Sequence, residues 1–369
     1  MASTATIRSS ETEAKKVHAW EISSIKEFAE SNGASVIPST YHSVTEGHDD
    51  AADELTDSIP VIDLSLLTSK DPEIHAKAVH ELGKACAEWG FFMVSVRVDA
   101  SRLTNHEIPE KLMEKALEFH YLPVEEKIEL FDDKGKSPYT PIRYGTSFSA
   151  QAEKVHYWRD YLKVITSPEF NFPNKPPELA FEYTRKIGGA VRKLVEGISE
   201  SLGLESNTII ESTGYDSGFQ ILAVNFYPPC PEPHLAQGLP PHSDQGFATL
   251  IMQNGIGGLQ VKHDGKWVNV NPVPNSLAVV MGDQLEVLSN GKYCSVVHRA
   301  ILNNKDTRMS LVVSNGPALD KEIGPMPEIL SENEKPLFKR YKYREYFHVQ
   351  QQTRFADKSS LEAVRLHVQ

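Results

Sequence analysis

The chain has 369 residues, a formal net charge of −12, and an ordinary balance of 40% hydrophobic and 24% charged residues. An acidic chain binds polyanions poorly, so we expect neither nucleic acid nor an anionic membrane as a partner. The sequence has no apolar run near the roughly 18 residues that a transmembrane helix needs. Three scattered cysteines without a C-x-x-C pair predict reduced thiols and a cytoplasmic location, and we expect a monomer.

The first half of the chain is predicted to be mostly helical. Residues 1–57 form a polar N-terminal extension with one short helix within 17–31. The folded part is expected to begin at a compact apolar strand over 59–64 and to stay mostly helical over 58–205. Apolar residues at helical spacing predict helices at 71–90, 107–132 and 176–205, and a further strand is predicted at 91–98.

The character of the sequence changes near residue 218, where short β-type runs alternate with Gly, Pro, Asn and Asp breaks. Asp264-Gly265 between two alternating runs predicts a tight hairpin. So many short strands in about 100 residues predict a jelly roll over 215–320, followed by a C-terminal helix and tail over 321–369. The predicted strands are 219–226, 248–252, 259–263, 266–270, 277–281, 295–302 and 309–314.

Two histidines and an aspartate within this β-rich region suggest a metal site. His242 and Asp244 are two residues apart, so an extended backbone directs both side chains to one face, and His298 follows in a later strand. Two imidazoles and one carboxylate are the ligand set of a facial triad for non-haem Fe(II), with open positions for O₂ and a co-substrate. The pattern also occurs at His48-Asp49-Asp50, in a polar stretch without strands. The alternative is that His298 is a hydrogen-bonded core histidine.

Two further pairs of polar residues share a face at strand positions. Arg308 and Ser310 alternate with apolar neighbours, and an arginine facing a barrel interior needs an anion, for which a carboxylate fits its planar fork. Asn225 and Tyr227 repeat this spacing at the end of an apolar strand and suit ligand binding equally. The alternatives are an outward Arg308 paired with Asp306 and a strand that simply ends in a turn.

Taken together, the motifs resemble those of the plant-type Fe(II)- and 2-oxoglutarate-dependent dioxygenases. The similarity covers roughly residues 58 to 350, in the family's order, and it is the ordered set that is specific. The matching segments are Ile59-Pro60-Val61-Ile62-Asp63, Trp89-Gly90-Phe91-Phe92, Asn225-Phe226-Tyr227-Pro228-Pro229-Cys230, Gly238-Leu239-Pro240-Pro241-His242-Ser243-Asp244, Gly257-Gly258-Leu259-Gln260-Val261, Gly282-Asp283, Asn290-Gly291-Lys292-Tyr293, Val297-His298-Arg299 and Arg308-Met309-Ser310.

The resemblance implies a double-stranded β-helix, or jelly roll, with helices packed outside and an N-terminal helical portion. It implies iron ligands at His242, Asp244 and His298. It further implies that Arg308 and Ser310 bind the distal carboxylate of 2-oxoglutarate, helped by Asn225 and Tyr227. The expected enzyme uses Fe(II), 2-oxoglutarate and O₂, with ascorbate as reductant, to hydroxylate, demethylate or desaturate a small organic molecule such as a plant specialised metabolite or hormone, releasing succinate and CO₂.

Three other functions would require many of the same residues. An iron-dependent oxidase without 2-oxoglutarate would keep the metal ligands but not require the four polar residues of the second site. A catalytically inactive small-molecule binding protein and a zinc hydrolase are the remaining alternatives. Aromatic residues of the C-terminal region (Phe338, Tyr341 and Tyr346) could contact the substrate or merely pack.

One segment departs from the family pattern. About nine extra residues, 94–102, follow the segment that ends at Met93. Because the strand before them belongs to the core, we expect the insertion to be tolerated only if it leaves the sheet as a surface loop. An artefact of the sequence, such as an unspliced fragment, is the alternative.

Overall fold

The structure is a computed structural model that describes residues 24–31, 36–43, 53–95, 107–127, 137–147, 155–173, 177–352 and 358–366. The sequence match at His48-Asp49-Asp50 lies outside these residues. So does most of the predicted insertion, from residue 96 to 102.

The predicted helices are present, with shorter bounds. The first long helix begins where the sequence offers a cap, since the Asp71 side chain accepts hydrogen bonds from the backbone N–H groups of Glu73 and Ile74. The segment predicted as one helix over 107–132 divides, because Pro123 interrupts it. In the described residues the helices are α1 (Ile25–Ser31), α2 (Pro72–Glu88), α3 (Glu107–Tyr121), α4 (Val124–Lys127), α5 (Pro177–Ser201), α6 (Thr208–Thr213), α7 (Asp283–Leu288), α8 (Tyr343–Gln352) and α9 (Ser359–Glu362).

The strands form a large sheet and a smaller one. The large sheet has eight strands in the order β1-β2-β10-β7-β12-β5-β4-β3, the smaller has four in the order β6-β11-β8-β9, and β13 pairs with β14 alone. The strands are β1 (Val61–Asp63), β2 (Phe91–Ser95), β3 (Ile142–Thr146), β4 (Asp160–Ser167), β5 (Gln220–Tyr227), β6 (Leu239–His242), β7 (Ala248–Gln253), β8 (Leu259–His263), β9 (Lys266–Val270), β10 (Ser276–Met281), β11 (His298–Ala300), β12 (Arg308–Asn315), β13 (Glu322–Ile323) and β14 (Tyr341–Lys342).

This architecture confirms the predicted mainly β fold with flanking helices. All seven strands predicted after residue 218 are present, although the one predicted over 295–302 covers only His298–Ala300. Asp264 and Gly265 both have positive φ, as the tight turn between β8 and β9 requires. Five strands were not predicted: β3, β4, β6, β13 and β14. Charged residues in β4 and two prolines in β6 hide the period-2 pattern that identifies a strand.

Two apolar clusters lie on opposite faces of the large sheet. On the outer face, the helices pack against residues such as Leu222, Val224 and Leu250. On the inner face, Ile251 and Val280 of the large sheet pack with Val261 and Val268 of the small one. The inner cluster fills only part of the space between the sheets, which leaves the remaining inner face for polar side chains.

A buried aspartate joins the N-terminal segment to the large sheet. The Asp160 carboxylate accepts hydrogen bonds from Ser24 Oγ (2.7 Å) and from the backbone N–H groups of Ile25 (2.9 Å) and Lys26 (3.1 Å). These donors lie at the start of α1, where backbone N–H groups have no partner within the helix. Asp160 therefore anchors α1 against the first residue of β4.

The predicted insertion begins inside the sheet rather than at its edge. Val94 and Ser95 continue β2, where they pair with Ile62 and Asp63 on one side and with Leu277 and Ser276 on the other. Our expectation that the insertion would leave the sheet at residue 94 was therefore wrong for its first two residues, because both complete ladders to neighbouring strands.

No helix in the described part of the chain combines the length and apolar character needed to cross a membrane.

The C-terminal tail is held against α7 by a buried carboxylate. Glu286 Oε2 lies 2.6 Å from Lys358 Nζ and accepts from the backbone N–H of Ser295 (2.7 Å), while Oε1 lies 3.0 Å from Arg365 Nη2. Burial alone would raise the pKa of Glu286, but Lys358 and the Ser295 hydrogen bonds outweigh it, so the pKa is lowered. A lowered carboxyl pKa stabilises the fold above the ordinary value of 4.5, and this contribution is lost as the pH falls through the lowered value.

We therefore expect Glu286→Gln to lower the free energy of unfolding by about 2 kcal/mol at neutral pH. The difference from wild type should shrink as the pH falls from the ordinary glutamate pKa through the lowered pKa of folded Glu286, where the wild-type carboxylate is protonated as well. Urea unfolding at several pH values measures this. Glu322→Gln, which removes an exposed pair with Arg340, is the control and should change little. An effect of Glu286→Gln that is the same at all pH values would contradict the assignment.

Candidate metal and 2-oxoglutarate site

The structure brings the three predicted metal ligands together at one end of the small sheet. His242 of β6 lies directly opposite His298 of β11 in the antiparallel ladder, and their rings are 4.2 Å apart between centroids. Asp244 Oδ1 lies 3.7 Å from His242 Nε2 and 4.0 Å from His298 Nε2. One ligand atom from each residue lies within 4.8 Å of the others, and the described residues contain no second such cluster of three.

The histidine geometry suits metal binding. His242 Nδ1 lies 2.8 Å from the Pro240 carbonyl, which fixes the ring and leaves Nε2 directed at the cluster. Burial and the neighbouring His298 lower the pKa of His242 to about 3, so the ring is neutral at physiological pH. Neutral imidazole is the form that ligates metals. The interpretation of His298 as a solitary core histidine does not fit, because its ring contacts His242 rather than apolar residues alone.

Asp244 is presented by a turn that is packed against backbone on two sides. Its carbonyl accepts a hydrogen bond from the Asp283 N–H (2.8 Å), and the Gly282 N–H donates to the Phe247 carbonyl (2.7 Å). A Cβ on Gly282 would lie 2.2 Å from the Gly246 carbonyl oxygen, so only glycine allows this approach. The turn therefore places the Asp244 carboxylate by contacts between main-chain atoms.

The surroundings of the Asp244 carboxylate also favour the binding of a cation. Its Oδ2 is buried and has no hydrogen-bond partner among the described residues. A buried carboxylate oxygen without a partner is costly unless an ion or proton meets it. A divalent cation between the three side chains would satisfy this oxygen, and two imidazoles with one carboxylate suit Fe(II).

The four residues predicted to bind 2-oxoglutarate lie together on the inner face of the large sheet. Arg308 pairs with Tyr227 and Ser310 pairs with Asn225 between β12 and β5. The Arg308 guanidinium lies over the Tyr227 ring at 5.0 Å, and Asn225 Nδ2 donates to Ser310 Oγ at 3.3 Å. All four side chains are buried, so the alternative of an Arg308 directed to solvent or Asp306 is wrong.

The surroundings of the Arg308 guanidinium favour the binding of an anion. Its Nη2 donates to Gln253 Oε1 (3.0 Å), a neutral group, while Nε and Nη1 are buried without partners among the described residues. Burial lowers the pKa of Arg308, which still leaves it charged at physiological pH. A buried guanidinium with two unused donors fits a carboxylate that enters from the inner space, as the distal carboxylate of 2-oxoglutarate would.

A fifth polar residue, Arg159, was not predicted from the sequence. It is buried just before β4, where its Nη1 donates to Asn225 Oδ1 (2.9 Å) and its Nε to the Ser147 carbonyl (3.3 Å). A guanidinium can only donate, so it fixes the Asn225 carbonyl toward itself and the Asn225 amide N–H₂ toward Ser310. The signal was present in Arg159-Asp160-Tyr161, but without β4 nothing indicated that this arginine faces inward.

The aromatic residues of the C-terminal region have a packing role. Tyr346 Oη donates to Asp283 Oδ2 (2.7 Å), and Tyr341 Oη donates to Gln284 Oε1 (2.9 Å). Both contacts hold α8 and β14 against α7, whose first residue supports the Asp244 turn. Phe338 is fully buried beneath Arg365. All three residues therefore pack against other protein groups, as the packing alternative predicted, and Tyr341 and Tyr346 also support the Asp244 turn through α7.

Comparison with known proteins assigns the chain to a class. The sequence matches the family model of the 2OG-Fe(II) oxygenase superfamily over residues 218–317 and that of the non-haem dioxygenase in morphine synthesis N-terminal region over 59–182. The two matches together cover much of the chain between residues 59 and 317. The chain belongs to the 2OG-Fe(II) oxygenases.

Three individual proteins show how similar the chain is to particular members of this family. The chain is 42% identical to 2-oxoglutarate-dependent dioxygenase 19 of Oryza sativa subsp. japonica, over 84% of this chain and 90% of the relative. It is 40% identical to flavanone 3-dioxygenase 2 of the same organism, over 78% and 82%. Among solved structures, JOX2 in complex with 2OG, Fe and JA superposes with a TM-score of 0.80 at 31% identity, covering 94% of this chain and 98% of that one.

The predicted function class is confirmed by these relationships. The protein is an oxidoreductase of the Fe(II)- and 2-oxoglutarate-dependent dioxygenase type that acts on a small molecule. The described structure adds a cluster of His242, Asp244 and His298 that suits the required metal.

Arg159 provides a test of how the second site is organised. We expect Arg159→Met to raise the KM for 2-oxoglutarate about tenfold while kcat changes less, because Asn225 loses the contact that directs its amide toward Ser310. Arg159→Lys should restore part of the affinity, since it keeps a cationic donor. Steady-state kinetics with 2-oxoglutarate as the varied substrate measures both.

Arg192→Met, on the surface of α5, is the control for the loss of an arginine. A fall in kcat for Arg159→Met with an unchanged KM for 2-oxoglutarate would show that Arg159 does not position this site.

Proposed function

We propose that His242, Asp244 and His298 ligate Fe(II), and that Arg308 and Ser310, with Asn225 and Tyr227, bind the distal carboxylate of 2-oxoglutarate. The observation that carries this proposal is the pair of opposite buried charges without partners: Asp244 Oδ2 on one side and Arg308 Nε and Nη1 on the other. A cation and a dicarboxylate satisfy both at once. The overall reaction converts substrate R–H, O₂ and 2-oxoglutarate into R–OH, succinate and CO₂.

The bound iron supplies the activation of O₂ and the oxidation of a substrate C–H bond, and the protein supplies orientation. Arg308 and Ser310 fix one end of 2-oxoglutarate so that its other end points toward the metal ligands. Tyr227 covers the Arg308 guanidinium and excludes water from it. His242 is held in one orientation by the Pro240 carbonyl, so the ligand set is arranged before a metal binds.

The four inner-face polar residues favour this function over the alternatives. An oxidase without 2-oxoglutarate, a zinc hydrolase or an inactive binding protein does not require a buried arginine with two free donors beside a hydroxyl. The relatives include a flavanone 3-dioxygenase and a structure bound to JA, and these support a plant specialised metabolite or hormone as the primary substrate. We further propose a monomer, and a cytoplasmic location, which the free thiols of Cys86, Cys230 and Cys294 support because a reducing compartment favours them.

Loss of the carboxylate ligand should abolish the reaction. We expect Asp244→Ala to eliminate succinate formation from 2-oxoglutarate, because two imidazoles alone hold the metal weakly. Asp50→Ala removes the aspartate of the other H-x-D match and should leave succinate formation at the wild-type level. Chromatographic detection of succinate, with Fe(II) and ascorbate present, measures both. Wild-type protein that formed product without any succinate would favour the oxidase alternative.

The arginine of the second site gives a separate test. Arg308→Lys keeps the positive charge but loses the planar fork, and we expect the KM for 2-oxoglutarate to rise by about tenfold to a hundredfold. Arg308→Met should raise it further. The iron content of both variants, measured after anaerobic loading, should match that of wild type, since Arg308 is not one of the three clustered ligand residues. An unchanged KM in Arg308→Met would exclude a role for this arginine in 2-oxoglutarate binding.

A further inference from the structure

A pocket lies on the helical face of the large sheet, away from the metal and 2-oxoglutarate residues. Its volume is about 370 Å³, within the range of roughly 300–1,000 Å³ that small-molecule sites occupy. Gln220 and Asn315, directly opposite each other in the ladder between β5 and β12, line its buried end. Because side chains alternate along a strand, both project from the face opposite to that of Asn225 and Ser310. The pocket is therefore separate from the site already described.

Two adjacent glycines in the middle of α5, Gly188 and Gly189, line this pocket. Glycine in the interior of a helix is destabilising relative to alanine. Close packing does not require Gly189, since a Cβ there would meet no neighbouring atom within 4 Å. A Cβ on Gly188 would lie 3.3 Å from Gln220 Nε2, at the buried end of the pocket. The two glycines thus keep the pocket open at a cost to the helix.

Aromatic side chains form walls of the pocket. Tyr215 is held in place because its hydroxyl donates to the Gly188 carbonyl (2.7 Å). Phe181 packs edge-to-face against Phe170, with 5.1 Å between ring centroids, and yet half of its surface (50%) is exposed. Small-molecule sites are lined mainly by apolar and aromatic groups. These walls therefore favour a ligand with a flat apolar body.

Arg185 gives the pocket a positive charge. No hydrogen bond, ion pair or ring contact joins it to another residue in the described part of the chain. Arg192, the other arginine of the lining, is already paired with Glu196 (2.9 Å) and with Asp216. Arg185 follows Phe181 by four residues, so the two side chains lie on the same face of α5. An anionic group on the ligand would thus meet a cation beside an aromatic wall.

From these observations we infer that the pocket is a second small-molecule site, which binds an aromatic carboxylic acid. The ring lies over the glycine pair between Phe181 and Tyr215, and the carboxylate meets Arg185, whose planar fork matches it in geometry. The buried end adds shape rather than charge, because the Gln220 amide is already bonded to neutral groups. This site goes beyond the proposed function, which uses the other face of the sheet.

Matched acids and amides test the inference. The probes are benzoate, cinnamate and 2-naphthoate, each with its primary amide, titrated calorimetrically into protein loaded with Fe(II) and 2-oxoglutarate without O₂. We expect at least one acid to bind wild type about tenfold or more tightly than its amide, as a charge-assisted contact provides. Arg185→Met should remove this preference, and Arg185→Lys should retain part of it. Gly189→Leu, whose side chain projects into the pocket, should abolish binding of that acid.

Succinate formation by Gly189→Leu should stay at the wild-type level, which shows that the variant folds and that the pocket is distinct from the metal site. Arg340→Met, which removes an arginine exposed on the surface, is the matched control and should keep the wild-type preference. The inference is wrong if wild type binds no acid more tightly than its amide, or if Arg185→Met keeps the preference. Acid binding that survives in Gly189→Leu, or that weakens equally in Arg340→Met, would also overturn it.

Discussion

Buried charge without a partner is the constraint on which this structure depends. The inner space between the two sheets holds the Asp244 carboxylate and the Arg308 guanidinium, each with polar atoms that no described protein group meets. Leaving either group uncompensated in an apolar interior is expensive, so the fold tolerates them only if ligands complete them. One needs a cation and the other an anion. A metal and a dicarboxylate that bind side by side meet both requirements, and this is the pair that the enzyme class uses.

The rest of the fold keeps these two charges in place. The ladder between β6 and β11 sets His242 opposite His298, and the ladder between β5 and β12 sets Asn225 opposite Ser310. A shift of one residue in either ladder would turn these side chains away from the inner space. The helical layer acts at longer range, since α8 bonds to α7 through Tyr346 and Asp283, and Asp283 in turn holds the Asp244 carbonyl. The C-terminal region is therefore part of the support for the turn that carries Asp244.

Much of the site could be predicted because its residues follow the period of a strand. His242 with Asp244 and Arg308 with Ser310 are pairs two residues apart, so a local pattern already assigns each pair to one face. Arg159 was missed because its partner, Asn225, is distant in sequence and β4 was not recognised. The cap that Asp160 provides for α1 is likewise a contact between distant segments, which no local pattern encodes. Strand β6 was missed since its prolines oppose the usual β propensity, although the ladder to β11 accommodates them.

The most direct test of the account is the dependence of 2-oxoglutarate binding on the metal. Calorimetric titration of 2-oxoglutarate into anaerobic protein, with and without stoichiometric Fe(II), compares the two states. If the co-substrate bridges the Arg308 side chain and a metal held by His242, Asp244 and His298, removal of Fe(II) should weaken its binding by at least about tenfold, to a level that Asp244→Ala shows even with Fe(II) present. Equal affinity with and without Fe(II) in the wild-type protein would contradict the account.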